Sequence, residues 1–173
     1  SSVGICVLSY YATGQFDDCY YIWTNELSND KALSFKNIFR GRPFGDAHYL
    51  IEEIVKKRVP LNNKKIKSAK MHLIVPLTNF KTGKVEYFDN KSHFDFSEIL
   101  KAAIIIPFLY GEPVKLGNNL YCDGLFSDPL PIDHPIIEKS KKIINLTKTE
   151  NQSDSHIGKI LSVLLKWKLG PVA

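Results

Sequence analysis

Tyr121-Cys122-Asp123-Gly124-Leu125-Phe126-Ser127-Asp128-Pro129-Leu130-Pro131 is the stretch from which the fold can be worked out. It places an aspartate on a glycine turn directly after a short apolar segment. Residues 113–116 and 119–122 read as two short strands around Gly117-Asn118, because alternating apolar residues flank a two-residue turn signal. Beyond the turn, residues 131–140 read as a helix, and Lys142-Ile143-Ile144-Asn145-Leu146-Thr147 as a buried strand. Asp-Gly alone is an ordinary turn. The order strand, turn, helix, strand argues for sheet and helices in one layered domain.

The remainder of the chain has the same mixed character. Val3 to Thr13 is small and apolar, is too long for a typical buried strand, and stops at Gly14, so a helix is expected there. Further helices are expected over residues 16–27 and 47–57, the latter with Leu50, Ile51 and Ile54 on one face. FRGRPFGD, residues 39–46, reads as a loop. Residues 70–76 are a strand candidate, and residues 79–89 a hairpin turning at Lys81-Thr82-Gly83-Lys84. Residues 96–106 form an apolar helix stopped by Pro107, which cannot continue the backbone ladder. Helices alternating with short apolar strands argue for an α/β class or a mixed sheet with helices on its faces.

Chemistry enters at the first residues. Ser1-Ser2-Val3-Gly4 before a small-residue helix matches the second half of G-x-S-x-G, in which only Ser2 fits the frame ending at Gly4. A serine on a tight strand-to-helix turn projects its hydroxyl into open space. The helix N-terminus then offers N–H groups, Val3 first among them, to a developing oxyanion. Taken alone, the segment reads first as a serine that merely caps the helix.

Together, the two ends and the segments between them resemble the patatin-like phospholipase family. The Asp123-Gly124 pair followed by D-P-L-P-I stands where that family has D-G-[GA] and a (D/N)-x-P stretch. Four further segments follow in the family's order: Gly14-Gln15; LSFKNIFRGRPF, residues 33–44, with Asp46; Asn79-Phe80-Lys81-Thr82-Gly83; and Leu100 to Pro107 with Pro113-Val114. The resemblance covers residues 1–148 as an acyl hydrolase domain, leaving 149–173 as a polar linker and an amphipathic helix over residues 156–168.

The resemblance implies a three-layer α/β/α fold around a mostly parallel sheet. It also implies a Ser–Asp dyad, with Ser2 as nucleophile and Asp123 as base, and Val3, Gly4 and Gly124 supporting the oxyanion and the turns. A serine hydroxyl is too weak an acid to attack unaided, and a partly desolvated carboxylate within hydrogen-bond reach can activate it. The family's first strand and glycine-rich oxyanion loop precede its serine, upstream of residue 1, so residues 1–173 by themselves are expected to be inactive. Leu125 departs from the family's glycine or alanine and would either narrow the pocket or face away. The implied substrate is a phospholipid or another acyl ester, and the contrasting reading is a degenerate domain that binds lipid or protein.

The bulk properties are compatible with this. The chain has 173 residues, 44% hydrophobic and 24% charged, with net charge +5. The basic clusters Lys56-Lys57-Arg58, Lys64-Lys65-Ile66-Lys67 and Lys139 to Lys142 read as solvated faces or as contacts for an anionic membrane surface. They carry no interleaved aromatics or motif for nucleic acid. Three cysteines, Cys6, Cys19 and Cys122, fit no zinc spacing and suit a reducing compartment, so a cytoplasmic or peripheral membrane location is expected. No run approaches the roughly eighteen apolar residues that cross a bilayer. The five histidines, His48, His72, His93, His134 and His156, show no metal-binding spacing, and no cofactor is read. Asp128 is expected to stiffen the turn behind Asp123.

Overall fold

The computed structural model describes residues 2–27, 44–107, 109–132 and 134–139. The chain divides into two compact units, Ser1–Ile132 and Asp133–Ala173. In the first unit, helix α1 (Val3–Thr13) ends where Gly14 adopts φ 73°, the left-handed cap that glycine takes without steric cost. Helix α2 (Phe16–Tyr21) runs on into a wider π-helical stretch, Ile22–Glu26. Gln15 locks the α1–α2 corner: its amide donates to Asp18 at 2.8 Å and to the Pro60 carbonyl at 3.0 Å, and its oxygen accepts from the Asn62 N–H at 2.9 Å.

Helix α3 (Tyr49–Arg58) is also wound in wide turns, closing with the Val59 N–H on the Ile54 carbonyl. The expected helices over residues 16–27 and 47–57 are therefore present, but with partly altered winding. Insertions of this kind occur often at functional sites. Helix α4 (Asn63–Ser68) was read only as a basic cluster; Asn62 caps it by accepting from the Lys65 N–H, and Ile66 is fully buried.

Four strands follow the pattern of the turns. β1 (Ile74–Asn79) and β2 (Val85–Asp89) form the expected hairpin, and β3 (Val114–Leu116) and β4 (Asn119–Asp123) a second one. Their order is β2-β1-β4-β3 and every pairing is antiparallel. This corrects the mostly parallel sheet implied by the family resemblance: among the described residues the sheet is antiparallel throughout. The physical reason lies in the connections. The five- and two-residue turns of the two hairpins can join only antiparallel neighbours, because a parallel pair needs a crossover of a dozen residues or more, whereas β4 meets β1 antiparallel after a connection long enough for either direction. The strand expected over 142–147 and the helix over 156–168 lie outside the described residues.

β1 begins four residues later than expected and continues through Pro76. A proline is tolerated there because the β1–β4 ladder starts only at Leu77↔Asp123, leaving Pro76 at an edge on that side. Helix α5 (Phe96–Ile104) is capped by Asp95, which accepts from the Ser97 N–H at 3.0 Å. It packs against β1, β3 and β4 and also meets α1 and α3, so it carries much of the core. Its buried face includes Phe96, Ile99, Leu100 and Ala103. It ends two residues before the expected Ile106 because Ile105 turns extended and its carbonyl receives the Asp123 N–H at 2.9 Å.

The cluster Lys56-Lys57-Arg58 is not an open anion site. Lys56 pairs with Glu52 and Glu98, Lys57 with Glu53, and Arg58 with Glu26 at 2.7 Å. Among the described residues no helix is long and apolar enough to cross a membrane. In the second unit, α6 (Pro135–Glu138) starts with Pro135 in its first turn, and the His134 Nδ1 accepts from the Ile136 N–H at 3.3 Å.

Asn90, 1% exposed, ties the α4 end of the core to the start of β1. It accepts from the Leu73 N–H at 3.0 Å and donates to the carbonyls of Ile66 and Met71. Asn90→Ala would strand the buried Leu73 N–H and Ile66 carbonyl, and a loss of about 2–4 kcal/mol is expected in urea unfolding at unchanged m-value.

Candidate active site

Ser2 is the residue before α1, and its backbone holds φ 60°, ψ −147°. It is the one non-glycine with positive φ among the described residues. This region of backbone space is normally left to glycine, and occupying it costs on the order of 1–3 kcal/mol. The strain is the local signature of a serine forced onto a sharp turn into a helix. Its hydroxyl makes no capping hydrogen bond to α1, so capping does not account for the serine. Val3, the first helical residue, has an N–H in the first turn, where no intrahelical acceptor exists. Gly4 has open space where a Cβ would stand among the described residues, so no close neighbour demands a glycine there.

Ser2, Cys6 and Tyr10 follow at four-residue spacing on one face of α1. All three line a single cavity of about 170 Å³. Its more exposed lining, Ser2, Val3, Trp23 and Asp46, forms the mouth, while Cys6, Tyr10, Ile22, Ala47, Val55 and Ile104 are buried. The π-helical stretch and α3 thus both contribute to it. Asp46 accepts from the Tyr49 N–H at 2.8 Å and thereby caps the segment leading into α3.

Asp123 ends β4 and is completely buried. Its Oδ1 accepts from the Leu125 N–H at 3.0 Å. Directly after it, Gly124 lies on β1: a Cβ there would stand 2.4 Å from the Pro76 carbonyl oxygen, nearer than any side chain can come. Four more hydrogen bonds hold the turn. The Thr78 hydroxyl donates to the Asp123 carbonyl at 2.8 Å and meets the Ser127 hydroxyl at 2.8 Å. The Ser127 and Asp128 N–H groups converge on the Gly124 carbonyl. Asp128 stiffens this turn as expected, but through its own N–H and by accepting from the Tyr87 hydroxyl at 2.5 Å.

Asp123 does not itself line the cavity, but it sits just behind the wall. Its N–H bonds Ile105, which lies between the lining residues Ile104 and Ile106. Its carboxylate is also within electrostatic reach of Cys6, one turn after Ser2. Burial, then the neighbouring Cys19, then Asp123 push the Cys6 thiol up to about 12. Burial likewise pushes Cys122 up to about 12. A thiol nucleophile must first be a thiolate, so Cys6 is inert at neutral pH despite its place in the cavity. Ser2 and Val3 therefore stand at the mouth, with Asp123 and Gly124 on the sheet behind it.

A profile of the patatin-like phospholipase family matches residues 1–136. The chain belongs to the patatin-like phospholipase family. No curated protein and no solved structure gives a significant match. Membership in this patatin-like family implies a lipid acyl hydrolase acting on lipid esters. Leu125, the departure from the family's glycine or alanine, is 47% exposed and does not line the cavity, so it leaves the pocket unnarrowed. Among the described residues no cluster of three or more His, Cys, Asp or Glu side chains could hold a metal.

Sequence reasoning missed Pro76, Thr78 and Ser127, which hold the Asp123 turn. Thr78 stands next to the Asn79 motif, but nothing in that spacing shows that its hydroxyl reaches across the sheet. The cavity was also missed, because α1, the π-helical stretch and α3 meet only in three dimensions.

Two stability effects follow from this backbone. Ser2→Gly relieves the strain and is expected to raise stability by about 1 kcal/mol, once the entropy cost of glycine is subtracted. Gly124→Ala forces β1 and the turn apart and is expected to cost about 1–3 kcal/mol. Thermal melts of both variants read these opposite signs directly. In addition, iodoacetamide at pH 8 should leave Cys6 and Cys122 unmodified in the native protein and label both in urea, as read by mass spectrometry.

Proposed function

We propose that the chain is a serine acyl hydrolase of lipid esters, of phospholipase A or lysophospholipase type, with Ser2 as nucleophile and Asp123 as base. The strained backbone of Ser2 at the mouth of an apolar cavity is the observation that carries the reading. In the proposed reaction the Ser2 Oγ attacks the ester carbonyl carbon while its proton passes to the Asp123 carboxylate. The carbonyl electrons move onto oxygen, and the N–H of Val3, in the first turn of α1, donates to that oxyanion. As the tetrahedral intermediate collapses, the C–O bond to the alcohol breaks and Asp123 returns the proton to it. Water, deprotonated by Asp123, then attacks the acyl-serine, releasing the fatty acid and regenerating Ser2. Gly124 supports the base by letting the Asp123 turn rest on β1.

In the intact natural polypeptide that contains these residues, Ser2→Ala and Asp123→Asn should each lower kcat on a chromogenic ester by at least about a thousandfold, with little change in KM. The double variant should be no worse than either single one, because the two groups act as a unit. Activity retained in either single variant would overturn the dyad.

One observation favours a second reading, that of a lipid- or protein-binding module. Leu8, Tyr11, Phe16 and Tyr20 on α1 and α2 are 48%, 54%, 57% and 73% exposed, large apolar side chains left open on these two helices. Co-sedimentation with neutral phosphatidylcholine vesicles, lost in Tyr20→Asp while ester hydrolysis is absent from both proteins, would support that reading over the first.

A further inference from the structure

We propose that Thr78 is a positioning residue for the base: its hydroxyl, reaching across from β1, fixes the backbone of Asp123 and with it the direction of the carboxylate. This rests on the Ser2–Asp123 reading and adds to it a residue that touches neither the substrate nor the reacting atoms.

The direction of a carboxylate follows its own backbone, because the Cα–Cβ bond turns with the peptide groups on either side. At Asp123 both groups are held. Its N–H donates to the Ile105 carbonyl at 2.9 Å, and its carbonyl accepts from the Thr78 hydroxyl at 2.8 Å. The carboxylate is held at a third point, where Oδ1 accepts from the Leu125 N–H at 3.0 Å. Of these three bonds, those from Ile105 and Leu125 use backbone groups that any residue but proline could supply. The bond from position 78 needs a side-chain hydroxyl. It also falls where strand pairing ends, since the β1–β4 ladder stops at Leu77↔Asp123.

Thr78 is itself tightly placed. It lies on β1 opposite Cys122, is 5% exposed, and its branched Cβ restricts its rotation in a strand. Its one hydroxyl proton goes to the Asp123 carbonyl, so the Ser127 hydroxyl, 2.8 Å away, donates to its oxygen. The chain Ser127 to Thr78 to the Asp123 carbonyl thus uses the Thr78 hydroxyl as both acceptor and donor, and bonds linked in this way strengthen one another. Thr78 does not line the cavity. Its loss should therefore show in the proton-transfer step and not in substrate binding.

Thr78→Val keeps the shape of the side chain and removes the hydroxyl. A reacting group displaced by about 1 Å can cost about a hundredfold in rate. In the intact natural polypeptide, assayed on p-nitrophenyl butyrate below the melting temperature of every variant, Thr78→Val should lower kcat about ten- to hundredfold with KM changed by less than about twofold. Thr78→Ser, which restores the hydroxyl, should return kcat to within about threefold of the parent. Asn90→Ala, destabilised at a site remote from the dyad, should keep its kcat. Full kcat in Thr78→Val, equal losses in Thr78→Val and Thr78→Ser, or an equal loss in Asn90→Ala overturns the positioning role. If the parent cleaves no ester, or Asp123→Asn is as active as the parent, the dyad reading fails on its own. The hold on Asp123 is then read by hydrogen exchange at the Leu125 amide. Protection lowered about tenfold in Thr78→Val and recovered in Thr78→Ser supports it, and unchanged protection in Thr78→Val overturns it.

Discussion

Gly124 rests on the carbonyl of Pro76, and a Cβ in its place would come within 2.4 Å of that oxygen. The contact joins the end of β4 to β1 at the point where their ladder stops. It fixes the direction in which the chain leaves the sheet and so the position of Asp123. Proline at 76 makes the contact possible in a second way: β4 has already departed there, so the ladder loses no donor. The Thr78 hydroxyl and the convergence of Ser127 and Asp128 on the Gly124 carbonyl hold the turn from both sides. A buried carboxylate needs this kind of support, since an unsupported charged group is costly to remove from water.

Across the cavity wall, Ser2 stores strain in its backbone where Asp123 relies on hydrogen bonds. Both devices have the same consequence, that a polar side chain is held in a place it would not choose. The strain at Ser2 persists because α1 behind it is anchored: Ile5 and Tyr10 are buried, and the Tyr10 hydroxyl bonds the Val59 carbonyl. Helix α5 connects the two halves, meeting α1 on one side and the strands on the other. The extended residue after it, Ile105, bonds Asp123 directly. The geometry of the site is therefore a property of the core packing and not of a loop.

Charge plays a smaller part than the net value of +5 suggests. The basic end of α3 is matched by Glu26, Glu52, Glu53 and Glu98. Exposed ion pairs of this type contribute little to stability. Their effect here is to hold the ends of α3 and α5 in register and to neutralise cations that would otherwise attract polyanions.

The features legible in the sequence were those that depend on neighbours along the chain. Gly14 stops α1, Thr82-Gly83 turns the first hairpin and Gly117-Asn118 the second, and each does so through its own backbone preference. Family membership was legible as well, through the order of short segments ending at Asp123-Gly124. Features that depend on neighbours in space were decided only by tertiary structure. The sheet is antiparallel where the resemblance implied a mostly parallel one, because strand direction follows from which strands meet. Thr78 and Pro76 matter because β4 crosses them, and the basic cluster at 56–58 is neutral because four glutamates face it. Ser2 shows the division most directly. From its own segment it read first as a helix cap, since the same side-chain type serves a cap or a nucleophile. Its φ of 60° and the lack of a capping hydrogen bond set the cap reading aside, and neither could be read along the chain.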